Sequence, residues 1–426
     1  MTSETLRPSI LFAALIAALA MAPVAPEAGN ILFLAAGGLA LLLVRPADLE
    51  LVGRPAVWMP LTGLLILAVA YSIAAGGPNG LVGLMFVAPL VAMLPLIVAA
   101  GTGRDAPSPR LIPVLALCGS AGAAAVAIAE FSSTGSSRVG ETVANPIHFA
   151  DLALSVGFLA LLGTALGRGH GRWFFLLAPL LATVAVLLSG TRGAVVALVA
   201  MSGTAVLAGV MVRLISLRQF AIGALVLAVV AIGAWAAGAG QTSGVQRVMT
   251  DIADVLRTGL PTDESTTLRL QMYEGGLNAF LASPIVGHGP INFVEAAASR
   301  ASVRFEGAPH LHNDLADFAA SGGIMGLIAY FLFLFAPLAE AMRTPHPETR
   351  KGLVVVSAAL VLGYFVMGLT NAMFGILNLT VFYAAATLVV FVVGNAGGNH
   401  SRREPSLEQW AAQPSDNAAS GSHPRE

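Results

Sequence analysis

The sequence predicts an all-α fold, a polytopic transmembrane helical bundle of about twelve spans with a large, partly helical loop on one side. Hydrophobic residues make up 56% and charged residues 11% of 426 positions, and the mean hydropathy is +0.81, well beyond what a soluble core uses. Apolar runs long enough to cross a bilayer recur along the chain. One long polar interruption, residues 241–312, breaks the pattern near its C-terminal third.

Runs of about 17–25 apolar residues bounded by Arg, Pro or Gly place spans near 9–25, 28–44, 56–75, 81–100, 111–131, 148–167, 173–190, 193–212, 219–239, 318–341, 352–371 and 374–394. The first run, with Arg7 ahead of it and small residues around Ala20-Met21-Ala22, also has the form of a cleavable signal peptide. The chain divides into N-terminal spans (1–240), a loop subdomain (241–312), C-terminal spans (313–394) and a polar tail (395–426) whose Ser, Asn, Pro and Gly content predicts disorder in the cytoplasm.

Arginine placement gives the orientation. Arg7, Arg45, Arg54, Arg104, Arg110, Arg168, Arg172, Arg213, Arg218, Arg343, Arg350 and Lys351 fall on alternate connections, whereas the opposite short connections carry only Arg138 and Arg192. By the positive-inside rule the arginine-rich side is cytoplasmic, both termini lie inside, and the 241–312 loop faces outward. A net charge of -1 argues neither for nor against nucleic acid, and with the charges in short clusters between spans instead of on one basic face, no nucleic-acid partner is expected. The single Cys118 lies in an apolar run and permits neither a disulfide nor a thiolate metal site, so it reads as a small core residue.

The loop carries structure of its own. Val245, Val248, Met249, Ile252, Val255 and Leu256 recur at helical spacing and predict an interfacial helix. Beyond Pro261, Leu268 to Leu281 predicts a second helix bearing Arg269, Tyr273 and Glu274, closed by the turn Ser283 to Pro290. At the loop's end, Pro309-His310-Leu311-His312-Asn313-Asp314 delivers two histidines to the start of the next span.

Three motifs in order carry a family resemblance. They are Leu188-Ser189-Gly190-Thr191-Arg192-Gly193-Ala194; Arg269 through Gly276 with Pro284-x-x-Gly287-x-Gly289-Pro290-x-Asn292-Phe293; and His312-Asn313-x-Leu315 with Gly322-Gly323-Ile324-Met325-Gly326-Leu327. Together, over about Pro179 to Leu327, they resemble the O-antigen ligase and O-antigen polymerase superfamily. The resemblance implies a bacterial inner-membrane glycosyltransferase with its active site facing the periplasm. Its donor is a polyprenyl-diphosphate-linked glycan, and its acceptor is the hydroxyl of a lipid A core or a growing polysaccharide.

The residues agree with that implication. Arg192, in a turn at the outer face, is costly unless it meets an anion or several carbonyls, and a lipid diphosphate is such an anion. Ser189 and Thr191 support that turn; the competing reading is an arginine snorkelling to lipid headgroups. Arg269 read alone is a surface charge paired with Glu264 or Glu274, and the resemblance assigns it to the diphosphate. His312 has the residue type of a general base for an attacking hydroxyl, against a capping role, and His310 can share that task. Asn313, Asp314 and Asp317 suit helix capping, Asn313 also supporting the site, and His288 reads as a loop residue. No cofactor is expected: the His and Asp spacing suits no metal, two arginines neutralise a diphosphate, and no nucleotide-binding loop is present. The rival from another class is a transporter of a small anion or glycolipid, with Glu130, Arg138, Glu141, Asn145 and His148 lining its path.

Overall fold

In the computed structural model, the described residues are 3–101, 107–136, 138–167, 169–216, 264–400 and a few positions between 218 and 257. Among them the chain is helical without strands, a polytopic bundle as expected. Nine helices in this set are long and apolar enough to cross a membrane, fewer than the twelve expected. The reason is local. The first two expected spans form the shorter apolar helices Leu6–Met21 and Pro26–Leu41, the first of them ending in a π-helical segment, Ile16–Met21. The expected span 219–239 and most of the tail lie outside the described residues; of the expected interfacial helix at 245–256, the described positions Gln246, Met249, Thr250, Ala253, Asp254 and Leu256 are helical and the others lie outside them.

Eight helices position the site. They are α1 (Pro55–Ala74), α2 (Pro146–Leu159), α3 (Arg192–Met211), α4 (Glu264–Ala282), α5 (Gly289–Ala298), α6 (Asp314–Met342), α7 (Pro347–Gly368) and α8 (Leu377–His400). Inside a bilayer apolar burial gives no drive for helix association, so close packing and polar contacts must supply it. The α6–α1 pair does so with Gly63, where a Cβ would lie 2.5 Å from the Phe333 ring, and with a buried ion pair between Arg54 and Glu340, whose Oε2 also accepts from Ala56 N at 3.2 Å. Arg343 reaches Gly53 O at 3.4 Å at this same end. Because α6 runs from Asp314 to Met342, these arginines lie at the opposite end of the bundle from the histidines.

Cys118 is exposed on the surface of its span instead of sitting in the core, which corrects the expectation. A periodic apolar run cannot reveal which of its faces meets lipid, because both faces are equally hydrophobic.

Two loop helices dock onto α6. The start of α5 was expected to be only a turn, yet Pro290 occupies its first turn, where proline's missing N–H costs nothing. Between α4 and α5 the chain doubles back against a break in α6 at Gly323, which has φ 64° and ψ −150°. Ile324 N donates to Pro284 O at 2.8 Å, and His288 N donates to Ala320 O at 2.9 Å. A Cβ on Gly287 would stand 2.4 Å from Ser321 C, and one on Gly323 2.4 Å from Ile285 C, so this backbone-to-backbone seam admits only glycine.

Candidate functional site

The site forms where α3, α4 and the N-terminus of α6 meet. Arg192 is the first residue of α3, placed there by a turn whose hydroxyls are consumed internally. Ser189 Oγ donates to Val186 O at 2.7 Å and to Thr191 Oγ1 at 3.0 Å, and Thr191 Oγ1 donates to Pro146 O at 3.3 Å. Both residues are buried, so they fasten the turn to α2 and support Arg192 rather than face a ligand. The Arg192 guanidinium is half-buried and donates to Thr266 Oγ1 on α4 at 3.2 Å.

Arg269 follows Thr266 by about one turn of α4, and so lies on the same side of that helix. Of the two acids considered as its partners, Glu274 is engaged by Ser302, whose Oγ donates at 2.6 Å. Arg269 instead lies close enough to both His310 and His312 to push their pKa values down. Tyr273, one turn further along α4, donates its hydroxyl to Leu369 O at 2.8 Å and His312 O at 3.2 Å. Burial above all raises the Tyr273 pKa to about 12, so it remains a donor.

The histidine segment is tightly constrained. His312 has φ 55°, a left-handed conformation uncommon outside glycine. Its N–H donates to His310 Nδ1 at 3.1 Å, and the two rings meet edge-on with centroids 4.2 Å apart. Preceding it, the buried Leu311 N donates to Asp317 Oδ1 at 2.8 Å; following it, Asn313 Oδ1 accepts from Ala316 N at 3.2 Å as the cap of α6. Strain of this kind persists only where the surroundings over-determine it. Because an amide N–H can only donate, His310 Nδ1 carries no proton, and the neutral ring bears its hydrogen on Nε2.

Burial first, then Arg269 and His148, lower the His312 pKa to about 4. His310 falls to about 4 for the same leading reason, with His312, His148 and Arg269 adding to it. Both rings are therefore neutral near pH 7. His312 Nδ1 is buried with no hydrogen-bond partner. The site can thus present an unprotonated nitrogen beside the Arg269 guanidinium, a combination suited to receiving a proton next to a bound anion.

His148 was missed as a site residue. From sequence it groups with the lining of a transport path, yet it sits in the first turn of α2 and acts electrostatically on both histidines. The only available signal was Asn145-Pro146, a cap and first-turn pair that places residue 148 at the same membrane face as the loop. Its former companions have other tasks. Glu130 accepts from Gly140 N at 3.0 Å, Glu141 N at 3.2 Å and Thr142 Oγ1 at 2.8 Å, which folds that connection, and Asn145 Oδ1 accepts from Ile147 N at 2.9 Å. His288 is held through Nε2 against Ala279 O at 2.9 Å and serves the glycine seam.

A family model described as O-antigen ligase matches residues 177–331, a segment that contains Arg192, Arg269, His310 and His312 together. No curated protein matches the chain.

Proposed function

We propose, from the premise that residues 177–331 belong to the O-antigen ligase family, that this membrane protein transfers a glycan from a polyprenyl diphosphate to a hydroxyl acceptor at the periplasmic face of a bacterial inner membrane. The observation that carries the reading is the convergence of Arg192, Thr266 and Arg269 beside the His310–His312 pair at the end of the bundle opposite Arg54 and Arg343.

The chemistry balances without a further reactant. The acceptor oxygen forms a bond to the anomeric carbon as the bond from that carbon to the diphosphate oxygen breaks. The electron pair leaves with the diphosphate, where Arg192 and Arg269 stabilise the growing charge, and the acceptor proton passes to His312. An anion bound against Arg269 offsets the charge that depresses His312, so donor binding strengthens the base. Cleavage of the lipid diphosphate supplies the driving force, which leaves no task for ATP.

Glycan analysis after deletion of the protein tests this reading. Polymer stranded on its lipid carrier identifies a ligase acting on lipid A core, and accumulation of single repeat units identifies a polymerase. Unchanged glycans, both attached and polymerised, overturn the proposal.

A further inference from the structure

Behind His310 lies a cavity of about 120 Å³ that the catalytic roles do not use. One water needs roughly 10–15 Å³ of such space, so the cavity has room for one ring of a glycan. Its polar lining is Tyr71, Asp314, Asp317, Ser321 and His310, while Phe293, Phe318 and Phe374 form apolar walls. Asp314 is 1% exposed, and its Oδ1 accepts from Phe374 N at 3.3 Å. Asp314 Oδ2 has no accessible surface and lies against Gly368, which is not part of the cavity wall. Asp317, 8% exposed, is the carboxylate that lines the space, with Oδ1 accepting from Leu311 N at 2.8 Å. Tyr71 and Ser321 share a single hydrogen bond of 3.2 Å between their hydroxyls, which leaves further capacity on both oxygens.

A carboxylate and two hydroxyls around a largely enclosed space are satisfied by groups that donate and accept. A sugar hydroxyl offers both. A hydrocarbon chain offers neither, so filling this space with isoprenoid would desolvate the Asp317 carboxylate and leave the remaining capacity of Tyr71 and Ser321 unused. Apolar walls with a few converging polar groups are the usual form of a small-ligand site. His310 is common to this cavity and to the pair with His312, which sets the cavity against the histidine side of the site.

We infer that this cavity is the acceptor subsite, holding the hydroxyl-bearing sugar ring that receives the glycan, with Tyr71 and Ser321 as its specificity-determining residues. The inference rests on the glycosyltransferase reading and deepens it.

The test is steady-state transfer by purified full-length protein in lipid nanodiscs. The donor is polyprenyl-diphosphate glycan, and two acceptors are used in parallel: lipid A carrying its core sugars, and a second lipid-linked glycan. Ser321→Ala and Tyr71→Phe each remove one hydroxyl with little change of shape. Each variant is expected to raise the KM of the working acceptor by about three- to tenfold, the range of one hydrogen bond, with donor KM and donor binding unchanged. A raised donor KM with an unchanged acceptor KM assigns the cavity to isoprenoid and overturns the inference. Unchanged constants for both substrates leave it a hydrated void, which also overturns it. If wild-type protein neither binds the donor nor transfers glycan, the parent reading fails and the subsite fails with it. Donor binding by wild type with no variant effect removes the subsite alone.

Discussion

The main-chain N–H of His312 donates to Nδ1 of His310 at 3.1 Å, and this contact fixes the proton of one ring while leaving Nδ1 of the other without a partner. The pair is thereby asymmetric. His310, with its hydrogen on Nε2, lines the cavity, and His312 retains a nitrogen able to take a proton.

That asymmetry predicts an unusual pH profile. Burial, with Arg269 and His148 beside them, pushes both histidines down to about 4 from the ordinary 6.5. They stay neutral as pH falls from 7, and the base is lost only as pH passes through about 4. In the unfolded chain they would take up protons near 6.5, so their contribution to stability is full above that value and is lost as pH falls towards 4. The acid limb of kcat/KM, which reports the free enzyme, should therefore lie near pH 4, and that of kcat should lie higher because the bound diphosphate offsets Arg269. Arg269→Gln should move the kcat/KM limb upward. A wild-type limb at 6.5 would contradict the electrostatic account.

Replacing Arg192 with Lys keeps the charge and loses the planar fork that reaches the Thr266 hydroxyl and that, on the proposed function, also holds a phosphate oxygen. Transfer should fall at least about tenfold, or roughly 1.4 kcal/mol of transition-state stabilisation. Full activity in Arg192→Ala at normal protein levels would reduce this residue to a headgroup contact.

The glycine seam makes a structural prediction with its own control. Gly323→Ala places a methyl 2.4 Å from the Ile285 carbonyl carbon at a φ of 64°, so it should destabilise the protein by at least about 1 kcal/mol and lower its melting temperature in detergent. At the neighbouring Gly322 a Cβ meets only Leu67 Cδ2 at 3.5 Å and Tyr71 Cε1 at 3.6 Å, an ordinary contact. Gly322→Ala should melt close to wild type, and equal damage from both substitutions would remove the seam as the explanation.

These particulars show what a linear reading can reach. Periodicity found the helix that became Glu264–Ala282 and the spans on either side of the loop, because a 3.6-residue period and a run of sufficient length are local properties. The motif order placed Arg192, Arg269 and His312 in one matched segment. What escaped depends on neighbours distant in sequence. His148 joins the histidines from another helix, Gly287 and Gly323 need each other's backbone, and the cavity behind His310 is bounded by Tyr71 and Phe374 from opposite parts of the chain. Ser189 and Thr191 spend their hydroxyls on the turn that carries Arg192 and on Pro146, partners that only geometry names.

Orientation is open to a direct check. A reporter fused near Arg172 or Arg350 should read cytoplasmic and one near Thr262 periplasmic, as the alternating arginines require. A cytoplasmic reading at Thr262 would separate the site from its substrate.

The central claim is that His312 performs proton transfer in a metal- and ATP-independent glycan transfer. The most direct measurement uses purified protein with lipid-diphosphate glycan and acceptor, without ATP and with a chelator present, comparing wild type with His312→Ala for both donor binding and transfer. The account predicts persistent wild-type transfer, unimpaired donor binding by the variant, and a loss of transfer of about 10²–10⁴-fold. Equal transfer by His312→Ala, or wild-type transfer abolished by the chelator, would contradict it.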